Sequence, residues 1–147
     1  ARLCQAIAPT KGLKKNGMLH ILDINEEYAI IAKKYFDKSI YKNNITQYIG
    51  NALDIINNFN QCFEIAFIDA DKENYCKYFD LIIDKIKING YIIADNVLWS
   101  GKVLEEVQDK ETEALNEYNK KVLKDERIET LLLPIRDGLM ISKKIRD

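Results

Sequence analysis

CFEIAFIDADKENY, residues 62–75, decides how the chain is read. A nearly continuous apolar run ends abruptly in Asp69, Asp71, Lys72 and Glu73, four charged groups within five residues. A run of that kind fits a strand covered on both faces of a parallel sheet. Working outward, GMLHILDI (17–24) is a second Leu- and Ile-rich strand, and NEEYAIIAKKYFDKS (25–39) is a helix with acids in its first turn. NITQYIG (44–50) is a short strand, and NALDIINNF (51–59) a helix opened by Asn51. ENYCKYFDLIIDKIK (73–87) predicts an amphipathic helix with Tyr75, Phe79, Ile82, Ile83 and Ile86 on one face. Asn89-Gly90 predicts a turn into the buried strand YIIADNV (91–97). A long charged helix follows (109–126), then IETLLLPI (128–135), the turn Arg136-Asp137-Gly138 and LMISKKI (139–145) as a closing hairpin. Alternation of this kind means a single α/β domain over 1–147, with a mostly parallel sheet and an antiparallel terminal hairpin. No internal repeat or low-complexity tract interrupts it.

Ligands of such sheets bind outside the carboxyl ends of the strands. Three strand ends here carry acids or amides: Asp23 with Asn25, Asp69 with Asp71, and Asp95 with Asn96. Converging carboxylates repel one another unless a cation joins them. Asp69, Asp95 and Asn96 would supply three hard oxygen ligands, suited to Mg²⁺ or Ca²⁺. The plainer alternative is that each Asp simply caps the next helix. Asp23 is open in the same way, between a cofactor ribose and a helix cap.

Composition removes several classes of function. The 147 residues carry a net charge of −1, with 47% hydrophobic and 31% charged residues. That balance leaves no nucleic-acid footprint and no polybasic membrane patch. The apolar runs are strand-length, far short of a membrane span, and no export signal is evident. An odd count of three cysteines without CxxC spacing fits reduced thiols in the cytoplasm. With His20 the only histidine, His-based triads and multi-histidine metal sites are excluded.

FIDADKENY together with GYIIADNVLWSGKV closely resembles the cation-dependent O-methyltransferases of the caffeoyl-CoA type, relatives of catechol O-methyltransferase. The resemblance runs from about Gly12 to Ile145 and includes LHILDINEEY, YIGNALDII and LLLPIRDGLMISKK. It implies a Rossmann-like class I methyltransferase fold, S-adenosylmethionine as methyl donor and a divalent cation, Mg²⁺ first, with Ca²⁺ or Mn²⁺ as alternatives. By the same resemblance Asp69, Asp95 and Asn96 match the metal ligands, and Lys72 the general base. Asp23 matches the acid on the cofactor ribose, Ala52 with Asn51 the adenine contact, and Asp71 with Asp69 the methionyl side. Trp99 and Tyr75 fall where relatives touch an aromatic acceptor, though Tyr75 also lies on the apolar helix face. The implied reaction transfers a methyl group to a vicinal dihydroxy aromatic, and the implied assembly is a homodimer. The chemistry is coherent: a phenol has a pKa of about 10, and a cation holding both oxygens lowers it.

One expected part is missing. The family's first strand ends in an acidic, glycine-rich loop, whereas the six glycines here are scattered at 12, 17, 50, 90, 101 and 138. That strand belongs between those read at 17–24 and 63–70, so its loss would leave two strand edges unpaired. ARLCQAIAPTK reads as the helix before it and GLKKNG as the end of the helix after it. The expectation is a gap of roughly 15–20 residues near Lys11–Gly12, a strand, a turn and most of a helix. Three rivals stand beside the methyltransferase. A nicotinamide-dependent oxidoreductase would want GxGxxG and a Tyr-x-x-x-Lys, both absent. A phospho-receiver domain has no place for the hairpin or ADNVLWSG. An inactive cofactor-binding homologue would not need Lys72 and all three ligands intact.

Overall fold

The computed structural model describes residues 12–147. Cys4, the helix expected over ARLCQAIAPTK and the Lys11 side of the expected junction lie outside these residues. Two compact units divide at Phe59 and Asn60.

In the first unit, strands β1 (Leu19–Asp23) and β2 (Ile45–Ile49) pair in parallel from Leu19–Ile45 to Asp23–Ile49. Helix α1 (Glu26–Phe36) buries Ala29 and Phe36, with Glu26 and Glu27 in its first turn and Lys33 and Lys34 in its last. Both charge pairs suit the helix dipole. Helix α2 (Ala52–Asn57) starts at Asn51, whose side-chain oxygen accepts from the Leu53 amide at 3.0 Å. His20 and Tyr48 stack at 5.8 Å, and Phe59 meets both rings edge-on.

The second unit is a four-stranded sheet in the order β3 (Phe63–Ile68), β4 (Ile86–Asp95), β6 (Leu139–Lys144), β5 (Ile128–Leu133). β3 and β4 run parallel, while β6 runs antiparallel to β4 and β5. The parallel pairing expected of the α/β fold is present in β1–β2 and in β3–β4, and the antiparallel terminal hairpin in β5–β6. Among the described residues no ladder joins β1–β2 to the four-stranded sheet.

Helices α3 (Tyr75–Ile83) and α4 (Lys110–Lys124) pack beside this sheet's core. On α4 the buried residues Leu115, Tyr118 and Val122 form one stripe at helical spacing. Tyr75, Phe79, Ile83, Ile92, Leu115, Tyr118 and Val122 are all at most 1% exposed.

Two expectations need correction. Helix α3 stops at Ile83, and Ile86 belongs to β4, because the Lys85 carbonyl accepts from the Phe63 amide at 2.7 Å and draws the chain onto β3. Asn89-Gly90 is thus an irregularity inside a ten-residue strand, with Asn89 at φ 67° and the register shifting between Phe63 and Ile65. Gly90 is required there: a Cβ would lie 2.7 Å from the Glu64 carbonyl oxygen, too close for a strand neighbour to yield. The second correction concerns β3. Ile68 is buried, but Ile65 and Phe67 are 60% and 52% exposed. Alternate residues share a face, and the described residues leave this face open.

Candidate active site

Lys72 is the centre of the second unit's chemistry. The chain leaves β3 at Ile68, and Lys72 opens a short 3₁₀ turn (Lys72–Asn74) before α3. Only 5% of Lys72 is exposed. Its Nζ donates to the Tyr75 hydroxyl at 2.5 Å and to Asn96 Oδ1 at 3.2 Å, and it lies 3.5 Å from Asp69 Oδ1. The same nitrogen sits over the Tyr75 ring at 4.6 Å and the Trp99 ring at 5.5 Å. Burial pushes the lysine's pKa below its ordinary value, and Asp69 and then Asp95 oppose that shift. An ammonium withdrawn from water normally needs such partners.

Tyr75 ties the lysine to both strand ends. Its hydroxyl is 3.0 Å from the Asp95 carbonyl oxygen and 3.4 Å from that of Ile68. The residue is wholly buried, and burial raises its pKa far above the usual tyrosine range. Its ring consequently presents no surface to an aromatic acceptor, which corrects its assignment to substrate contact. The apolar-face alternative is the one the structure has, with the hydroxyl turned to Lys72. Trp99 is partly exposed, and its indole Nε1 is buried without a hydrogen-bond partner.

Neither Asp69 nor Asp95 caps a helix. The N-cap positions of the turn and of α3 are Asp71 and Asn74, and neither makes a side-chain cap bond. Asp71 is instead held by the Tyr78 hydroxyl at 2.5 Å and by the Asn74 side-chain Nδ2, both donating to its carboxylate. Asp95 Oδ1 accepts from the Asn96 amide at 2.7 Å. Asp69, Asn96 and Lys72 are thus brought together, with the Asp95 carboxylate close enough to act on the lysine's charge.

Among the described residues no group of three or more His, Cys, Asp or Glu side chains gathers to hold a metal. The candidate set differs in kind: two carboxylates and one amide oxygen around a lysine. All three are hard oxygen donors, the type a Mg²⁺-class cation takes with water and substrate. On donor chemistry the residues fit such an ion.

In the first unit, Asp23 ends β1 and its Oδ1 accepts from the Asn25 amide at 2.9 Å. Asn25, not Asp23, caps α1, accepting from the Tyr28 amide at 2.9 Å. The helix-cap alternative for Asp23 is therefore not what the structure has. Asn51 spends its side-chain oxygen on the α2 cap, and Ala52 is the helix's first residue.

Sequence reasoning missed Asp137. Its triplet Arg136-Asp137-Gly138 signals a turn and nothing else, yet Asp137 accepts from Asn96 Nδ2 at 3.4 Å and from the Ser100 amide. Acid-tipped strand ends of an α/β sheet thus gather around one buried lysine. Residues 4–145 match the O-methyltransferase family, and the chain belongs to that family.

A caffeoyl-CoA O-methyltransferase of Petroselinum crispum is 30% identical over 152 residues, covering 95% of this chain and 63% of the relative. Tricin synthase 2 of Oryza sativa subsp. japonica is 26% identical, covering 97% of this chain and 53% of its own length. The chain thus spans less than two thirds of these relatives. Among solved structures, an O-methyltransferase from Bacillus cereus in complex with SAH superposes with a TM-score of 0.84 at 24% identity, over 91% of this chain and 66% of that one. A Corynebacterium glutamicum protein gives 0.89 at 18% identity, over 96% of this chain and 67% of the other. These likenesses establish the Rossmann-like methyltransferase fold.

Proposed function

We propose that the protein transfers a methyl group from S-adenosylmethionine to one hydroxyl of a vicinal dihydroxy aromatic, with a divalent cation, Mg²⁺ first, held by Asp69, Asp95 and Asn96. The observation that carries this reading is Lys72, buried between Asp69, Asn96 and the Trp99 ring. Family membership and the named activity of the Petroselinum crispum relative support the reaction class.

In the step itself, a phenol oxygen attacks the sulfonium methyl, the C–S bond breaks, and sulfur leaves with the electron pair. The phenol proton passes to the neutral amine of Lys72. Burial favours that neutral form. A bound cation supplies orientation of both acceptor oxygens and a lower phenol pKa. Trp99 would lie against the acceptor ring, and Asp71 with Asp69 would face the methionyl part of the cofactor. Asp23, Asn51 and Ala52 would hold its ribose and adenine.

Asp95→Ala should weaken Mn²⁺ binding, followed by electron paramagnetic resonance, by tenfold or more, since a lost ligand costs at least what a lost outer partner does. Unchanged affinity would remove Asp95 from the ligand set.

The assembly we propose is a homodimer, and its interface the terminal hairpin. β5 is the outer strand of its sheet, and Leu131, Leu132 and Ile135 are 58%, 40% and 57% exposed. Exposed apolar surface at a sheet edge favours association. Light scattering should give twice the chain mass for the native protein and a monomer for Leu131→Lys with Ile135→Lys; a monomeric native protein rejects the interface.

Cys62 and Cys76 are free thiols, which suits the proposed cytoplasmic setting. No helix among the described residues is long and apolar enough to cross a membrane.

A further inference from the structure

We propose that Asp137, in the turn between β5 and β6, is a positioning residue that sets which end of the Asn96 amide faces Lys72 and holds the 96–101 loop in shape. A carboxylate can only accept, an ammonium can only donate, and a primary amide has one end of each kind. Asn96 lies between the two. Its Nδ2 donates to Asp137 Oδ2 at 3.4 Å, and its Oδ1 accepts from Lys72 at 3.2 Å. Asp137 thereby selects the orientation that points oxygen, and not NH₂, toward Lys72.

The same carboxylate accepts from the Ser100 amide through Oδ1. That bond crosses a loop of unusual backbone: Asn96, Trp99, Ser100 and Gly101 stand at φ 61°, 47°, 55° and 84°. Left-handed conformations in non-glycine residues persist only where surroundings over-determine them. The turn supplies those surroundings. Backbone bonds run from Leu98 N to the Asp137 carbonyl at 2.9 Å and from Val97 N to that of Gly138 at 3.2 Å. Gly138, at φ 83°, sits so close that a Cβ would fall 2.5 Å from Leu98 Cγ. The hairpin turn is therefore the template on which the loop carrying Asn96 and Trp99 is cast.

Two substitutions separate the two jobs. Asp137→Ala removes both acceptor atoms. Asp137→Asn keeps an oxygen for Ser100 but turns an NH₂ toward Asn96, which must then rotate its own amide. Trp99 is the chain's single tryptophan, so its indole N–H cross-peak in ¹H–¹⁵N spectra reports on the loop. In Asp137→Ala that N–H should exchange with solvent at least tenfold faster, whereas in Asp137→Asn it should stay native. A native exchange rate in Asp137→Ala overturns the loop assignment. The Asn96 side-chain NH₂ resonances should move in Asp137→Asn, and unchanged resonances there overturn the amide assignment. The metal consequence alone rests on the proposed cation site: Mn²⁺ binding to Asp137→Asn should weaken roughly 10- to 100-fold. Native protein that binds no Mn²⁺ would defeat that cation reading, while the two spectroscopic arms still decide the role of Asp137. Should Asp137→Ala fail to fold, with Asp137→Asn folded and Asn96 shifted, the positioning role is upheld by the second variant.

Discussion

Lys72→Ala is expected to lower turnover by about 10²–10⁴-fold, the usual worth of a positioned general base, while S-adenosylmethionine binding stays nearly intact. The reason is local. The Lys72 nitrogen reaches Asp69, Tyr75 and Asn96 within 3.5 Å, and nothing in that arrangement asks it to bear on the cofactor's adenosine. Single-turnover methyl transfer gives the first quantity and calorimetric titration with the cofactor gives the second. A variant with native turnover would take the base role away from Lys72. One that loses turnover and cofactor affinity together would make the residue structural. Lys72→Met, which keeps the stem and the burial while deleting the charge, separates loss of the amine from loss of packing.

The largest effect on stability should come from Phe79→Ala. Phe79 is 0% exposed and meets the Tyr118 ring edge-on at 6.2 Å; Tyr118 in turn meets Tyr75 edge-on at 5.5 Å. Truncating a buried phenylalanine typically costs about 3–5 kcal/mol, since the cavity relaxes only in part. Against a usual domain stability of about 5–15 kcal/mol that is roughly a fifth of the total or more. Urea unfolding should show a clearly lower midpoint with an unchanged slope. A native midpoint would mean that the α3–α4 core is not packed as described. The consequence reaches function as well, because the third ring of this stack is the one whose hydroxyl holds Lys72. Residual folded Phe79→Ala should therefore lose turnover beyond its loss of folded protein.

The strand-end acids were legible because an apolar run that stops in carboxylates has few physical explanations. The amphipathic face of α3 was legible because Tyr75, Phe79 and Ile83 recur at helical spacing. Its end was not, since Ile86 continues the same apolar pattern and only the pairing of Phe63 with Lys85 reveals that the strand has begun. Asn89-Gly90 read as a turn for the same reason: a bend inside a strand and a turn before one ask for the same residues. Tyr75 carried two signals at once, a core position and a hydroxyl at the site, and sequence alone could not show that both are used. Asp137 was invisible as a site residue because its sequence neighbours explain it fully as turn chemistry. Its connection to Asn96 spans 41 residues and exists only once β4 and β6 are paired. The exposed side chains of Ile65 and Phe67 were likewise hidden, because an apolar run states what could be buried and not which described residues cover it.

The most direct test of the central claim is methyl transfer from S-adenosylmethionine to 3,4-dihydroxybenzoate and caffeoyl-CoA, assayed by product mass with Mg²⁺ and again with EDTA. The account predicts monomethylated product from at least one acceptor in Mg²⁺ and its loss in EDTA. Equal product in EDTA would contradict the role of Asp69, Asp95 and Asn96 as a cation site, and absence of product under both conditions would contradict the proposed reaction.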